Sequence, residues 1–144
     1  MEINFDMDGT LVDLYGVKNW LTMLQNEDTT PYATAKPLVN FSQLARLLNK
    51  LTALGYEVNV ISWLSKNGSA DYNERVAQVK REYLAKHLPS VKFTKITILA
   101  YGTPKENFGT DILFDDEERN RKNWKGTAYD EKNIVEILKK LLTV

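Results

Sequence analysis

Carboxylates follow two short apolar segments of the chain, and the first pair stands close to its start. Residues 3–7 are mostly apolar, which predicts a buried strand, and Gly9 permits a sharp turn directly after it. Because residues i and i+2 of an extended chain point to the same side, we expect Asp6 and Asp8 to face one site while Met7 faces the core. This turn is therefore a candidate for chemistry.

The second pair follows another predicted strand at residues 111–114, which leads into Asp115 and Asp116. If the two strands are parallel neighbours, four carboxylates meet at one end of the sheet. Negative charges so close together do not all stay ionised unless a cation lies between them. Mg²⁺ fits this requirement because it prefers carboxylate, carbonyl, water and phosphate oxygens.

Two further polar residues suggest that the predicted site also binds phosphate. Ser62 ends a β-branched segment at residues 58–61, and Lys105 lies in a loop that begins at Gly102. A hydroxyl and an ammonium can both hydrogen-bond phosphoryl oxygens.

The elements that must position these residues alternate between strands and helices. Asn40 and Gln43 resemble a capping box, which predicts a helix from residue 41 to Leu54 that Gly55 ends. Further helices are predicted over residues 17–24, 71–88 and 134–142, further strands over 56–61 and 90–100, and a loop over 25–40. Such alternation favours a mostly parallel sheet, in which ligands bind at the carboxyl ends of the strands.

The order of these motifs resembles that of the haloacid dehalogenase (HAD) superfamily of phosphohydrolases. Asp-x-Asp-Gly-Thr at residues 6–10 precedes a strand with Ser62, then Lys105, then a strand with Asp115-Asp116. The short interval between Lys105 and Asp115 is similar to that of 5′(3′)-deoxyribonucleotidases and their small bacterial and phage relatives. The resemblance implies an α/β fold, a HAD-like Rossmannoid three-layer sandwich with a mostly parallel sheet. It also implies one domain over residues 1–144, with a minimal helical cap insert at about 14–40.

The resemblance also implies a role for each motif residue. Asp6 would attack phosphorus to form an aspartyl phosphate, and Asp8 would act as general acid and then general base. Ser62 and Lys105 would bind the phosphoryl oxygens. The expected Mg²⁺ ligands are the Asp6 carboxylate, the Asp8 backbone carbonyl and the pair Asp115 and Asp116, with Asp116 favoured as the direct ligand.

The expected activity is Mg²⁺-dependent hydrolysis of phosphomonoesters, with nucleoside or deoxynucleoside monophosphates as the first candidate substrates. Sugar phosphates, polynucleotide or protein ends, and binding of a phosphorylated ligand without turnover are the alternatives. Trp20, Trp63 and Tyr101 flank the predicted site and are candidates to stack on a base. The basic residues within 119–125 are expected to form a solvated face, so a nucleic-acid partner is not favoured.

Composition excludes several other classes of protein. The 144 residues contain no cysteine, which excludes disulfide scaffolds, thiol nucleophiles and Cys-ligated metal sites. Nineteen basic and nineteen acidic residues balance, so overall charge does not indicate nucleic-acid or membrane binding. No apolar stretch is long enough for a membrane span, and the first residues lack a signal-peptide pattern, so we expect a cytoplasmic protein.

Overall fold

The computed structural model of the protein describes residues 1–143. The strands are β1 (Glu2–Phe5), β2 (Val12–Asp13), β3 (Lys36–Pro37), β4 (Glu57–Trp63), β5 (Phe93–Leu99), β6 (Ile112–Phe114) and β7 (Thr127–Tyr129). The helices are α1 (Trp20–Gln25), α2 (Thr30–Thr34), α3 (Phe41–Ala53), α4 (Ala70–His87), α5 (Glu118–Asn123) and α6 (Ile134–Leu142). Short 3₁₀ turns lie at Leu14–Gly16, Lys105–Asn107 and Glu131–Asn133.

Five parallel strands form the main sheet, in the order β5-β4-β1-β6-β7. β1 lies at the centre, where Phe5 pairs with Val60 of β4 on one side and with Phe114 of β6 on the other. The chain winds outward from β1 in both directions, so the carboxyl end of β1 is a topological switch point. The prediction of an α/β fold with a mostly parallel sheet is confirmed.

The two faces of the sheet are covered unequally. Ile3, Phe5, Val58 and Val60 point to the face that packs against α3, α4 and α6, and this cluster is the main core. The opposite face carries a smaller cluster, formed by Ile61, Leu113 and Trp124. The longer helices therefore cover one face of the sheet, and Trp124 at the end of α5 covers part of the other.

The helix boundaries follow local capping chemistry. The Asn40 side chain accepts a hydrogen bond of 3.0 Å from the Gln43 backbone N–H, and α3 then runs to Ala53, as its capping motif predicts. Gly55 follows with φ of 97°, a conformation that favours glycine. Leu54, predicted as the last residue of this helix, lies just beyond its last turn and is 64% exposed.

One sequence prediction of secondary structure was wrong, and one short helix was not predicted. Residues 25–40 are not a loop, because they contain α2 and also β3, which pairs antiparallel with β2. Most of residues 119–125 belong to α5, a helix that was not predicted and that leads into the edge strand β7. The basic residues Arg119, Lys122 and Lys125 are exposed, as expected of a solvated face. Trp124 is buried at the end of this helix. Within residues 1–143, no helix combines the length and the apolar character that a membrane crossing requires.

Candidate active site

The site is built at the carboxyl ends of the two central strands. Asp6 follows β1 directly, and its backbone N–H donates to the Phe114 carbonyl of β6 at 2.9 Å. The chain then turns back at Gly9, whose φ is 81°. Since β6 ends at Phe114, Asp115 emerges beside Asp6. The parallel register therefore brings the two predicted carboxylate pairs together.

Three of these carboxylates form one cluster. Ligand oxygens of Asp6, Asp115 and Asp116 all lie within 4.8 Å of one another. Thr10 joins two of them, since its hydroxyl oxygen is 2.9 Å from Asp6 Oδ2 and 3.2 Å from Asp116 Oδ1. The same hydroxyl accepts the Asp116 backbone N–H at 3.1 Å. Three carboxylates so close together match the donor set of an oxygen-ligated divalent cation.

Lys105 is the counter-charge inside this cluster. Lys105 is 1% exposed, and its Nζ donates to Asp6 Oδ1 at 2.8 Å and to Asp115 Oδ2 at 2.9 Å. The 3₁₀ turn Lys105–Asn107, which starts after Pro104, directs this side chain inward. The structure thus brings Lys105 to the predicted site, against the two acids that follow β1 and β6.

Asp115 is held on all sides by protein groups. Besides Lys105, it accepts the Glu117 backbone N–H at 2.9 Å and the Asn120 side-chain amide at 3.1 Å. Arg121 donates to its backbone carbonyl at 2.9 Å. Asp115 is completely buried, whereas Asp116 faces the open side of the cluster. Asn120 was not predicted as a site residue, because α5, the helix that carries it, was not predicted.

The proximity of these groups separates their pKa values. Burial opposes ionisation of Asp6, but the Lys105 ammonium and the hydrogen bonds from Asp116, Lys105 and Thr10 outweigh it and lower its pKa. Burial and the neighbouring Asp6 carboxylate raise the pKa of Asp115 to about 6. Burial, with the hydrogen bond and charge of Asp6, raises the pKa of Asp116 to about 8. The cluster therefore holds more negative charge than Lys105 neutralises, which fits a bound cation.

Asp8 lies beside the cluster but pairs with a different lysine. Its Oδ2 accepts a hydrogen bond of 2.7 Å from Lys80 of α4. Burial raises the pKa of Asp8, and the Lys80 charge opposes that rise. Sequence reasoning missed Lys80. The available signal was its position, because Lys80 lies on the buried face of α4 with Val76 and Leu84.

Ser62 does not occupy the place predicted for it. The residue is fully buried and does not line the cavity, and its hydroxyl oxygen accepts a hydrogen bond of 2.7 Å from Lys80. Lys80 thus engages this hydroxyl, and its expected contact with a phosphoryl oxygen stays a prediction. Ser65, three residues further along, does line the cavity.

A cavity of about 520 Å³ opens above the carboxylates. Its walls are unusually aromatic, with contributions from Tyr15, Trp20, Tyr32, Trp63 and Tyr101. All three aromatic residues that the sequence suggested for base stacking are among them. Trp63 and Tyr101 pack with ring centroids 5.0 Å apart, and so do Tyr15 and Trp20. The cavity thus joins a charged floor to aromatic walls.

The segment predicted as a cap forms one side of this cavity. Its 3₁₀ turn supplies Leu14 and Tyr15, α1 supplies Trp20, Leu21, Leu24 and Gln25, and Glu27 and Tyr32 follow. The Glu27 carboxylate accepts the Ser69 backbone N–H at 2.8 Å and its hydroxyl at 2.9 Å. These bonds fasten the segment to the start of α4.

Comparison with solved structures shows what fold carries this site. The chain is similar to the crystal structure of D,D-heptose 1,7-bisphosphate phosphatase from Burkholderia thailandensis, with a TM-score of 0.57 over 99% of each chain. The fold is HAD-like. The two sequences are 11% identical, so the similarity extends to the fold alone. No protein-family profile matches the sequence. No curated protein sequence matches it either.

Proposed function

We propose that this chain is a phosphomonoester hydrolase that uses Asp6 as its nucleophile. The observation that carries the proposal is the convergence of Asp6, Asp8, Lys105 and Asp116 on the floor of one cavity. The structural neighbour is a phosphatase, which supports this assignment. The cavity also lies at the end of the sheet where open parallel sheets bind ligands.

In the proposed reaction, a carboxylate oxygen of Asp6 attacks phosphorus and the bond from phosphorus to the ester oxygen breaks. Asp8 gives its proton to the departing oxygen, which keeps the bonding electron pair. Water then attacks phosphorus while Asp8 takes a proton from that water. The bond from phosphorus to the Asp6 oxygen breaks with its electron pair on that oxygen, which releases phosphate and regenerates the Asp6 carboxylate. Burial alone would raise the pKa of Asp6, but the charge of Lys105 and the hydrogen bonds to Asp6 lower it, which keeps the nucleophile ionised. Burial raises the pKa of Asp8, which favours a proton donor.

Lys105 has a further part in this proposal. An ammonium has three hydrogen-bond donors, and the side chains of Asp6 and Asp115 take two of them. The third can bind a phosphoryl oxygen next to the nucleophile. Lys105 then both holds Asp6 and neutralises charge on the transferring group.

The proposed cofactor is Mg²⁺. Asp6 and Asp116 would hold it with the Asp8 backbone carbonyl, because Asp115 already has Lys105, Glu117 and Asn120 as partners. When bound, Mg²⁺ neutralises charge on the phosphoryl oxygens.

We propose nucleoside or deoxynucleoside monophosphates as the substrate class. The aromatic walls of the cavity offer faces for a base, and stacking on such faces tolerates different bases. Sugar phosphates are the second candidate, because the structural neighbour acts on a heptose bisphosphate. Polynucleotide ends are less favoured, since Arg121 and Lys122 of α5 are engaged with Asp115 and Glu118.

The decisive experiment measures phosphate release from nucleoside monophosphates, sugar phosphates and p-nitrophenyl phosphate, with Mg²⁺ or with EDTA. Wild-type protein is compared with Asp6→Asn and with Asp71→Asn. Asp71 is an exposed carboxylate at the start of α4, so its variant is a matched control. We expect Mg²⁺-dependent release that Asp6→Asn abolishes and Asp71→Asn retains. Mass spectrometry of acid-quenched protein should locate a phosphoryl group on Asp6.

Other outcomes discriminate between the alternatives. Release that persists in Asp6→Asn contradicts the proposed nucleophile. Turnover of sugar phosphates without turnover of nucleotides replaces the proposed substrate class and leaves the hydrolase in place. Calorimetric binding of a nucleotide with no release from any substrate indicates a binding protein instead of an enzyme.

A further inference from the structure

A buried cation lies behind the proposed general acid and has no part in the reaction described above. Lys80 is in the interior of α4, and its side chain is 0% exposed. Its neighbours on the same helix face, Val76 and Leu84, are apolar. A lysine is almost never fully buried unless its charge is paired. The groups that pair with Lys80 therefore indicate what this residue does.

The partners of Lys80 use all of its donors. Its Nζ donates to Asp8 Oδ2 at 2.7 Å, to Ser62 Oγ at 2.7 Å and to the Trp63 backbone carbonyl at 2.6 Å. The Tyr32 ring of the cap segment lies over the ammonium, 5.1 Å away. An ammonium has three hydrogens, so none remains for a substrate. Lys80 can affect the reaction only through the groups that it holds.

Among the three groups that accept its hydrogen bonds, only the Asp8 carboxyl both lines the cavity and can exchange a proton. Lys80 binds Oδ2 of that carboxyl, which leaves Oδ1 available for proton transfer. We propose that Lys80 is the positioning residue for Asp8 and holds its carboxyl so that Oδ1 donates the proton to the leaving oxygen. This inference rests on the proposed function, which makes Asp8 the general acid.

The proton-transfer step explains why a cation is useful there. The proton on Asp8 Oδ1 moves to the ester oxygen as the bond to phosphorus breaks, and the bonding electron pair stays on that oxygen. Asp8 becomes a carboxylate whose new charge lies next to the Lys80 ammonium. The ion pair is thus preorganised for the charge that develops during leaving-group departure.

The test compares two leaving groups in Lys80→Met. A nucleoside leaves as an alkoxide and needs a proton, whereas p-nitrophenolate is stable without one. General acid catalysis typically contributes about 10²–10⁴-fold. We therefore expect kcat/KM for a nucleoside monophosphate to fall by about 10²-fold or more while kcat/KM for p-nitrophenyl phosphate changes only a few fold. The value of kcat/KM depends only on the steps up to and including the first irreversible one. It therefore reports leaving-group departure and not the later attack by water.

Lys86→Met is the matched control, because Lys86 is an exposed lysine on the same helix. It should leave both values unchanged. If Lys80→Met lacks a cooperative thermal transition, Lys80→Arg takes its place in the experiment, since the guanidinium retains the charge but not the three-donor geometry. The same leaving-group selectivity is expected for Lys80→Arg.

The outcomes separate this inference from the proposed function. Equal losses for both substrates mean that Lys80 only supports the fold, and the inference is then overturned although the protein is a hydrolase. A wild-type protein that releases no phosphate overturns the proposed function and this inference together. A further readout does not depend on activity. The loss of melting temperature in Lys80→Met combined with Asp8→Asn should be smaller than the sum of the two single losses, and strict additivity would contradict the pairing.

Discussion

At the scale of single residues, a substitution of Lys105 tests most directly how much the charges of the cluster contribute to stability and activity. It joins Asp6 and Asp115 in a buried triad. Removing one partner of a buried ion pair leaves an uncompensated charge and typically costs about 3–5 kcal/mol. Lys105→Met should lower the free energy of unfolding by about that amount, as measured by urea denaturation, and should also abolish phosphate release.

The control for this prediction is Lys122→Met. Lys122 pairs with Glu118 at 3.1 Å, but its side chain is 72% exposed. Solvent screens such pairs, so the variant should lose no more than about 0.5 kcal/mol. Equal losses in the two variants would show that the Lys105 triad contributes no more than a surface pair.

A second residue-scale prediction concerns the aromatic wall. Trp20 lies on α1, lines the cavity and packs edge to face against Tyr15. If it stacks on a base, Trp20→Ala should lose about 1–3 kcal/mol of binding, which raises the KM for nucleoside monophosphates by about 5–150-fold. The KM for ribose 5-phosphate, which has no base, should change little. Phe108→Ala, an exposed aromatic outside the cavity, is the control.

Single-residue inference from the sequence succeeded where the motif residue itself follows a strand. Asp6 and Asp115 lie together because each directly follows one of two neighbouring parallel strands. Ser62 does not line the cavity, and the sequence could not show this because alternation along a strand does not by itself indicate which side chain reaches a cavity. Lys80 was missed because its partner Asp8 lies 72 residues away in the sequence, and only the packing of α4 brings the two together.

At the scale of elements, the turn after β1 is the piece that the site depends on most. Gly9 has φ of 81°, and a Cβ there would overlap with the Asp116 carboxylate and contact the Tyr15 ring at 3.0 Å. Gly55 has a similar φ of 97°, but open space surrounds its Cβ position. Comparing substitutions at these two glycines therefore separates the effect of backbone strain from the effect of crowding at the site.

We predict that Gly9→Ala and Gly55→Ala each lose about 1–2 kcal/mol of stability from the left-handed conformation. Only Gly9→Ala should also lose phosphatase activity and Mg²⁺ affinity, because its methyl group displaces Asp116. Chemical denaturation and Mg²⁺ titration by calorimetry measure the two effects. A Gly9→Ala protein with normal Mg²⁺ affinity would refute the role given to Asp116.

Helix α3 allows a prediction that concerns stability alone. Asn40 caps this helix through its bond to the Gln43 N–H and is not among the residues that line the cavity. Asn40→Ala should cost about 1 kcal/mol and Asn40→Ser almost nothing, because serine caps as well as asparagine. Thermal and urea unfolding measure the difference, and kcat should be the same in both variants. A loss of kcat in Asn40→Ala would show that α3 influences the site.

Element prediction from the sequence was accurate where periodicity and caps agreed, as in α3 and α4. It failed for α5 and β7, which are only six and three residues long and carry no apolar period. Their position depends on Trp124, whose indole donates to the Asp111 carbonyl and packs against Ile61 and Leu113. Long-range contacts of this kind override weak local propensity.

At the scale of the whole molecule, the fold is shared with a neighbour that is only 11% identical. Cores tolerate extensive apolar substitution if pattern and volume are kept. In a parallel sheet whose first strand is central, the loops after the strands converge at the carboxyl end whatever the core residues are. The acids at that end are costly for folding, because three carboxylates face one ammonium.

This excess charge couples the stability of the whole chain to cation binding. A ligand that binds only the folded protein stabilises it by about 2.7 kcal/mol at a hundred times its Kd, or about 10 °C of melting temperature for a domain of this size. We therefore expect Mg²⁺ to raise the melting temperature of the wild type by that order, and Asp116→Asn to lose most of the rise. Asp130→Asn, which changes a half-buried turn acid outside the cluster, should keep it. An equal rise in all three proteins would mean that Mg²⁺ acts on the general surface charge, and the metal site proposed at Asp6 and Asp116 would have to be abandoned.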